Sequence, residues 1–308
     1  MIYALLGGTG TLGQAVAAYL LRAGGSDTIR ILSRGEHRQE EMRRRFSARA
    51  DQLRFFVGDV RDEDRLRWVL TDVDRVILMA ALKHVNSCEY NVLEATATNI
   101  DGAAATVKAC IRNNIRQAVL ISSDKAAEPI TTYGATKLVA ERIFVNANAY
   151  SPKGTSFHVL RYGNVLGSQG SLVEIWQQQQ REGYITISDP DITRFWWTPE
   201  DAATFVIRSF DYAHPGDLLV PLMTACSLGD LADLIAPGIR QRPLPRYGIE
   251  KDHETMLAAH EAQSATYVDG LGALRSPGQP GEMPYGMPRY CSADYCSLEG
   301  VRRCLTAQ

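Results

Sequence analysis

The start of the chain combines a strand, a glycine-rich turn and a helix in one short segment. Residues 2–6 form an apolar run, and Gly7, Gly10 and Gly13 follow it with the spacing Gly-x-x-Gly-x-x-Gly before an apolar helical pattern. Glycines allow the backbone to turn sharply and to approach a pyrophosphate, whose charge is stabilised by the amides at the helix N-terminus. This segment therefore predicts a dinucleotide site, with contacts from Gly7, Thr9, Gly10, Thr11, Leu12 and Gly13.

Apolar runs and helical patterns alternate along the first half of the chain. After residues 2–6, the predicted strands are 28–32, 53–57, 74–79, 118–121 and 155–160. Such alternation predicts an α/β fold with a Rossmann-type, doubly wound parallel sheet. We expect this domain to cover residues 1–165, with a segment at about 200–225 returning to it. The alternation loosens afterwards, so residues 166–308 are predicted to form mainly a smaller substrate-binding domain.

The residues after the second strand decide which nicotinamide dinucleotide is expected. An acidic residue there would accept the ribose hydroxyls of NAD, whereas this chain has Ser33 and Arg34, followed by Arg38. A hydroxyl and cations suit a 2′-phosphate, so NADP is the predicted cofactor; the alternative is that Arg34 is an exposed surface arginine. Further cofactor contacts are predicted near the ends of later strands, at Asp59, Val60, Met79, Ala80, Ala81 and Val165.

The segment after the predicted strand 118–121 carries the residues with the most chemistry. Tyr133 and Lys137 are four residues apart on a predicted helix and therefore share a face. A phenol beside an ammonium can accept a proton from a sugar hydroxyl as hydride leaves. Upstream, Ser123, Asp124 and Lys125 offer a hydroxyl, a carboxyl and an amine, enough to remove one proton and deliver another. The alternative for Asp124 and Lys125 is a solvated turn.

Composition and charge exclude several kinds of partner. A formal net charge of −2 gives no reason to expect nucleic acid or an anionic membrane as a partner. Met1 is followed at once by an apolar strand, and no apolar run approaches the ~18 residues that span a bilayer, so we expect a soluble, cytoplasmic protein. The six cysteines are expected to be reduced thiols, and no metal site is predicted.

With these motifs placed, the chain resembles the extended short-chain dehydrogenase/reductases that modify nucleotide sugars. More narrowly, it is similar to the soluble inverting UDP-N-acetylglucosamine 4,6-dehydratases, which start the pseudaminic acid pathway. The matching segments lie in collinear order, at residues 80–85, 123–126, 133–137, 161–165, 167–171 and 193–196. The resemblance implies a UDP-sugar substrate, a tightly bound NADP that is recycled within the reaction, and a homo-oligomer, either a dimer or a hexamer.

The resemblance also implies a role for each site residue. Tyr133, assisted by Lys137, would take the C4 hydroxyl proton while hydride leaves C4, Lys125 would remove the C5 proton, and Asp124 would protonate the departing C6 hydroxyl. Ser123 replaces the family's threonine, and the family's UDP-gripping segment matches residues 246–254 only with a one-residue insertion. The expected substrate contacts are Lys83, Ser122, Asn164, Ser168, Ser171, Arg194, Arg246 and Glu250.

The implied chemistry requires unusual protonation states. Lys125 must be neutral and Asp124 protonated; desolvation favours both states, and the Lys137 cation would lower the pKa of Lys125 further, but each partner also favours the other's charged form. Three alternatives stay open. A nucleotide-sugar 4-epimerase needs no Asp–Lys pair, a retaining 4,6-dehydratase usually carries methionine at the position of Tyr133, and a non-catalytic NADP-binding regulator would show no turnover.

Overall fold

A nine-stranded sheet forms the centre of the molecule. The computed structural model describes residues 1–25, 27–151, 154–168, 170–245, 248–276 and 289–306. Sixteen strands are present among them: β1 Ile2–Leu6, β2 Thr28–Ser33, β3 Leu53–Val57, β4 Arg75–Leu78, β5 Gln117–Ser123, β6 Ser156–Tyr162, β7 Asn164–Val165, β8 Tyr184–Ile187, β9 Thr193–Trp197, β10 Leu218–Pro221, β11 Thr224–Ser227, β12 Arg240–Pro243, β13 Thr255–Leu257, β14 Thr266–Val268, β15 Ala273–Ser276 and β16 Tyr290–Cys291.

Helices cover both faces of this sheet and build much of the smaller lobe. The α-helices among the described residues are α1 Thr11–Arg22, α2 Glu36–Arg45, α3 Glu63–Val69, α4 Val85–Tyr90, α5 Val92–Thr96, α6 Gly102–Arg112, α7 Thr132–Ala147, α8 Leu172–Gln180, α9 Pro199–Tyr212, α10 Leu228–Ile235, α11 Ala259–Ala262 and α12 Leu298–Thr306. A π-helical segment, Ala97–Asp101, joins α5 to α6. Short 3₁₀ turns occupy Ser47–Gln52, Asp124–Ala126, Asn148–Tyr150, Asp269–Leu271 and Ser292–Tyr295.

The order of strands in the large sheet confirms the predicted fold class. The strands lie in the order β14-β15-β10-β6-β5-β4-β1-β2-β3, and all neighbours from β10 to β3 are parallel. The side chains of β1, β4, β5 and β6 are almost all buried, as the unbroken apolar runs predicted, whereas β3 at the edge of the sheet has exposed side chains. The strand order reverses between β1 and β4, so a crevice opens at the carboxyl ends of these strands, where sheets of this kind bind ligands.

The smaller lobe has a core of its own. Strands β7, β9 and β11 form a three-stranded sheet, and β8 pairs with β12. A separate cluster of buried side chains fills this lobe, including Trp176, Ile185, Trp196 and Leu231. The lobe therefore stands beside the carboxyl ends of the large sheet as a second wall of the crevice.

The chain returns to the large sheet twice after residue 165. Strand β10 pairs in parallel with β6, and β15 and β14 then extend the same edge in antiparallel pairing. The predicted division of the chain at residue 165 stays a prediction. It placed a return at about 200–225 but did not anticipate that β14 and β15 also join the large sheet, because the short strands there lack a long apolar run.

Two further features concern the helices, as possible membrane spans, and the cysteines. Among the helices of the described residues, none combines the length and the apolar character needed to cross a bilayer. All six cysteines are free thiols, with Cys88, Cys110, Cys226 and Cys291 buried.

The turn after β5 contains a strained backbone position. Glu128 is exposed, has a φ of +47° and precedes Pro129. A left-handed conformation costs an ordinary side chain about 1–2 kcal/mol, whereas asparagine tolerates it better. We expect Glu128→Asn to raise the midpoint of thermal unfolding by roughly 2 °C.

The matched control is Glu182→Asn, because Glu182 is also exposed but lies outside the positive-φ positions of the described chain. Equal stabilisation by both changes would show that loss of a surface charge, rather than relief of the strained backbone, is responsible.

Candidate active site

A single large cleft collects nearly all of the residues singled out in the sequence. It has a volume of about 1220 Å³ and runs from the turn after β1, along the carboxyl ends of β2, β4, β5 and β6, to the smaller lobe. This is more than the roughly 300–1,000 Å³ of a typical small-molecule site and leaves room for a dinucleotide and a second ligand. Every predicted site residue that the structure describes lines the cleft except Asp124, which is buried directly behind it.

The turn between β1 and α1 forms one end of the cleft. Helix α1 begins after Gly10, so its N-terminal amides face the cleft. A Cβ at Gly7, whose φ is +87°, would lie 2.6 Å from the backbone nitrogen of Ala80, and one at Gly13 would lie 2.3 Å from the carbonyl oxygen of Gly8. Only glycine fits this close packing, and the exposed amides suit the pyrophosphate of a dinucleotide.

Ser33, Arg34 and Arg38 lie together on the rim beyond this turn. The Ser33 hydroxyl accepts a hydrogen bond from Gln39 at 3.0 Å. Arg34 is largely exposed, with Nη1 at 3.9 Å from Asp59 Oδ2 and 4.0 Å from Glu94 Oε1. The sequence did not indicate these two carboxylates beside Arg34, so the rim carries mixed charge rather than a purely cationic patch.

The turn after β5 holds the amine and the carboxyl side by side. Ser123 Oγ donates to Asp124 Oδ1 at 2.7 Å, and Lys125 Nζ donates to the same oxygen at 3.2 Å. Asp124 is fully buried, and its Oδ2 has no hydrogen-bond partner within the described part of the chain. The alternative of a solvated turn is therefore wrong, because this carboxyl has no contact with solvent.

Helix α7 presents Tyr133 and Lys137 to the cleft. Thr131 caps the helix by accepting a hydrogen bond from the Gly134 amide at 3.0 Å, and Glu89 accepts from the Thr132 amide at 2.6 Å. Both Tyr133 and Lys137 are buried, and Lys137 Nζ donates to the carbonyl oxygen of Ile121 at 2.6 Å. The helix thus fixes both side chains against the end of β5.

Burial decides the protonation of this pair in the free protein. Burial raises the pKa of Tyr133 to about 12, although the Lys125 cation and a hydrogen bond with Ser123 oppose the shift. Burial lowers the pKa of Lys137 to about 8, with Glu141 opposing. The expectation that a neighbouring ammonium would favour the Tyr133 phenolate is therefore not met in the free protein.

Lys125 behaves differently from the expectation of a neutral amine. Burial lowers its pKa, but the carboxylates of Asp124 and Glu254 together outweigh burial, so its pKa lies above the ordinary lysine value. Glu254 Oε1 is 3.1 Å from Lys125 Nζ. Arg194 is a cation that opposes these carboxylates and lowers the pKa of Lys125. The expected influence of Lys137 on Lys125 stays a prediction.

The sequence did not single out Glu254 as a site residue. It is the last residue of segment 246–254, which the resemblance matched with an insertion, and that register shift hid its significance. Tyr162, which follows Arg161 at the end of β6, was also missed, although it lines the cleft and burial raises its pKa well above the ordinary value.

The predicted substrate contacts lie on both walls of the cleft: Ser122 is on β5 and Lys83 follows β4, whereas Arg194 and Glu250 lie on the opposite wall. Arg194 is buried, and its guanidinium donates to Glu250 Oε1 at 3.1 Å and to the Lys251 carbonyl at 3.0 Å, so it orients this loop. Ser122 donates to Glu141 at 2.6 Å. Burial lowers the pKa of Lys83, although the Glu174 carboxylate opposes the shift. Lys83, Asn164, Ser168 and Ser171 line the cleft as well, and Arg246 lies outside the described residues.

Comparisons with known proteins give related activities. The profile of a family described as "Polysaccharide biosynthesis protein" matches residues 4–273. A UDP-N-acetylglucosamine 4,6-dehydratase (inverting) of Campylobacter jejuni is 40% identical over 261 residues, covering 84% of this chain and 78% of the relative. A UDP-glucose 4-epimerase of Rickettsia conorii is 34% identical over 270 residues, covering 85% of this chain and 79% of the relative.

Two solved structures share the whole fold. The X-ray structure of Pen from Bacillus thuringiensis has a TM-score of 0.92 and 30% identity, covering 100% of this chain and 98% of that one. The structure of DesIV, a dTDP-glucose 4,6-dehydratase of Streptomyces venezuelae with NAD bound, has a TM-score of 0.76 at 17% identity, covering 99% and 96%.

The packing of α7 against the turn after β5 generates a direct test. A Cβ at Gly134 would lie 2.2 Å from the carbonyl oxygen of Lys125, so Gly134→Ala must push this turn away from the helix. We expect a loss of about 1–3 kcal/mol in the free energy of unfolding, measured with urea. The control is Gly25→Ala, whose Cβ would meet only ordinary contacts at 3.7 Å and beyond. Equal losses in both variants would contradict the close packing described here.

Proposed function

Because the chain belongs to the polysaccharide biosynthesis protein family, we propose that it is a UDP-N-acetylglucosamine 4,6-dehydratase that inverts C5. The product is a UDP-2-acetamido-2,6-dideoxy-4-keto-hexose. The observation that carries this proposal is the Asp124–Lys125 pair at the carboxyl end of β5, in which Lys125 lines the same cleft as Tyr133 and Asp124 is buried directly behind it. Relatives with this printed activity support the choice of substrate.

A nicotinamide dinucleotide fits the glycine turn and the rim of the cleft. When bound, it supplies the acceptor for a hydride from C4 of the sugar. The residues that would hold it are the glycine turn, Ser33, Arg34, Arg38, Asp59, Val60, Met79, Ala80, Ala81 and Val165, all of which line the cleft. We take NADP to be the preferred form, because Ser33, Arg34 and Arg38 line the rim of the cleft, and a hydroxyl and two cations suit a 2′-phosphate.

Tyr133 and Lys137 perform the proton transfer at C4. Tyr133 takes the proton of the C4 hydroxyl as the hydride leaves, which produces a ketone at C4. Because the pKa of free Tyr133 is raised to about 12, this residue needs an additional positive charge near it, and the buried Lys137 is placed four residues away on the same helix face.

The ketone makes the C5 proton acidic, and the Asp124–Lys125 pair completes the elimination. A shift of one proton along the 3.2 Å hydrogen bond from Lys125 Nζ to Asp124 Oδ1 converts the ion pair into a neutral amine and a carboxylic acid. The amine then takes the C5 proton. The Asp124 carboxyl lies buried directly behind the cleft in the free protein, so its side chain must turn toward the sugar to protonate the departing C6 hydroxyl, and water leaves. Both residues end in the charged forms in which they began, so no proton is exchanged with solvent at this pair.

Hydride would return from the bound dinucleotide to C6, and a proton from solvent would be added to C5 on the face opposite Lys125. Tyr133 would release to solvent the proton that it took from the C4 hydroxyl, so that the protein ends in its starting state. The UDP-sugar would lie between this pair and the opposite wall, with Lys83, Asn164, Ser168 and Ser171 as hydrogen-bonding partners of the substrate. The division into a cofactor domain and a smaller substrate domain, and a homo-oligomeric assembly, belong to the same proposal.

A 4-epimerase is the second candidate, since a relative with that printed activity is 34% identical. It would use Tyr133 and Lys137 in the same way but needs neither Asp124 nor Lys125. Mass spectrometry of the product separates the two functions, because epimerisation loses no water.

The role of Lys125 can be measured in heavy water. With UDP-N-acetylglucosamine, we expect the protein to release water and to place deuterium at C5, as seen in the proton NMR spectrum. Lys125→Ala removes the base, so deuterium entry at C5 should fall by roughly a hundredfold or more. Lys108→Ala, an exposed change on α6, is the control. Undiminished exchange in Lys125→Ala would remove Lys125 from this role.

The cofactor preference can be tested at the rim. Arg38→Ala removes a cation that would contact a 2′-phosphate, so NADP binding should weaken about tenfold or more while NAD binding changes little. Fluorescence titration measures both constants, and Arg44→Ala on the same helix is the control. An equal loss for NAD and NADP would contradict the assignment of a 2′-phosphate contact.

A further inference from the structure

Glu254 is a buried carboxylate that enters the catalytic cluster from outside β5 and α7. Glu254 lies directly before β13, and only 3% of its surface is exposed. Three cations surround its carboxylate: Lys125 Nζ at 3.1 Å, Arg194 Nε at 3.9 Å and Lys251 Nζ at 3.9 Å. A carboxylate placed at this depth is costly unless it is paired, so the contact with Lys125 is a defined part of the fold.

We propose that Glu254 is a positioning residue for the elimination step, holding the Lys125 nitrogen at the cleft and stabilising the ammonium that forms as it takes the C5 proton. This inference rests on the proposed dehydratase function and adds a residue to it.

The position of the Lys125 nitrogen depends on two carboxylates. Asp124 Oδ1 and Glu254 Oε1 lie 3.2 and 3.1 Å from Lys125 Nζ, and the lysine side chain is 23% exposed toward the cleft that it lines. The nitrogen is therefore anchored on its buried side and accessible on the other. A long, flexible side chain held by one carboxylate alone would sample more conformations and would present its nitrogen to C5 less often.

The charge of Glu254 matters most while Asp124 carries the transferred proton. In that state Asp124 is neutral, and of the two carboxylates that contact Lys125, Glu254 is the one that stays negative. Arg194 and Lys251 support that charge, because together with Lys125 they lower the pKa of Glu254 below its ordinary value against the effect of burial. Glu254 attracts an ammonium more strongly than an amine, so its stabilising effect grows as the C5 proton moves to Lys125.

The loop that carries Glu254 is fixed to the catalytic turn at a second point. Lys251 Nζ donates to the carbonyl oxygen of Ala127 at 2.7 Å, and the Glu254 amide donates to Ser292 Oγ at 2.9 Å. These contacts place the carboxylate independently of Lys125. The position of Glu254 is thus fixed by contacts of the loop that also forms the opposite wall of the cleft.

The test separates oxidation at C4 from elimination at C5 and C6. Glu254→Gln keeps the size and an acceptor oxygen but removes the charge. With protein loaded with NADP and supplied with UDP-N-acetylglucosamine, we expect product formation to fall about tenfold or more, with little change in KM. Because Tyr133 and Lys137 are untouched, the reduced nicotinamide should accumulate during turnover and be visible by its near-ultraviolet absorbance. Deuterium entry at C5 should fall in parallel with product formation.

Two further variants distinguish positioning from general stability. Glu254→Asp retains the charge at a shorter reach and should restore part of the elimination rate. Asp217→Asn removes another buried carboxylate, one that pairs with Arg275 and does not line the cleft, and should show no accumulation of the reduced nicotinamide even where it lowers the unfolding temperature.

The outcomes are separable. Wild-type rates without accumulation in Glu254→Gln, or equal accumulation in Asp217→Asn, would overturn the inference while leaving the dehydratase function in place. Failure of the wild-type protein to release water from UDP-N-acetylglucosamine would overturn the proposed function itself and the inference with it.

Discussion

The arrangement of the active site depends on one buried guanidinium. Arg161 on β6 has no exposed surface, and it donates to Glu141 on α7 at 3.0 and 2.7 Å and to Glu261 on α11 at 2.7 and 2.9 Å. A further bond reaches the Met256 carbonyl at 2.7 Å. One side chain therefore joins the central sheet, the helix that carries Tyr133 and the segment that follows Glu254. Loss of Arg161 would leave two buried carboxylates without the cation that pairs with both of them.

In the same region, close packing fixes the positions of the side chains that follow β5. Helix α7 touches the turn after β5 through a glycine, and the turn places an amine beside a carboxyl that is fully buried. Ser122 adds a hydrogen bond to Glu141, so the end of β5 is connected to the Arg161 network as well. Lys125 and Tyr133, which lie on two different elements, thus share a rigid support, and a rigid support of this kind keeps the groups of a binding or catalytic site aligned.

Much of the fold was predictable because its signals are local. The glycine turn, the apolar strands and the four-residue spacing of Tyr133 and Lys137 each report on neighbouring residues, and the structure places them where those patterns indicated. The contact between Glu254 and Lys125 joins residues that are far apart in the chain, and no local pattern encodes it. The pairing of β14 and β15 with the large sheet was missed for the same reason, since only the folded edge of β6 and β10 creates a place for them.

The chain passes from the large sheet to the smaller lobe and back again, and this limits where the protein can be divided into fragments. Strand β10 pairs with the edge of β6, and β15 pairs with the other edge of β10. All of these residues follow the segment that begins the smaller lobe. A fragment ending near residue 165 would leave β6 with a row of unpaired amides and carbonyls, which invites pairing with other chains. A foreign C-terminal half could not simply be joined at that point to change what the protein recognises. The binding specificity of the cleft has to be changed by single substitutions in its loops, because the ends of these loops are fixed by the large sheet.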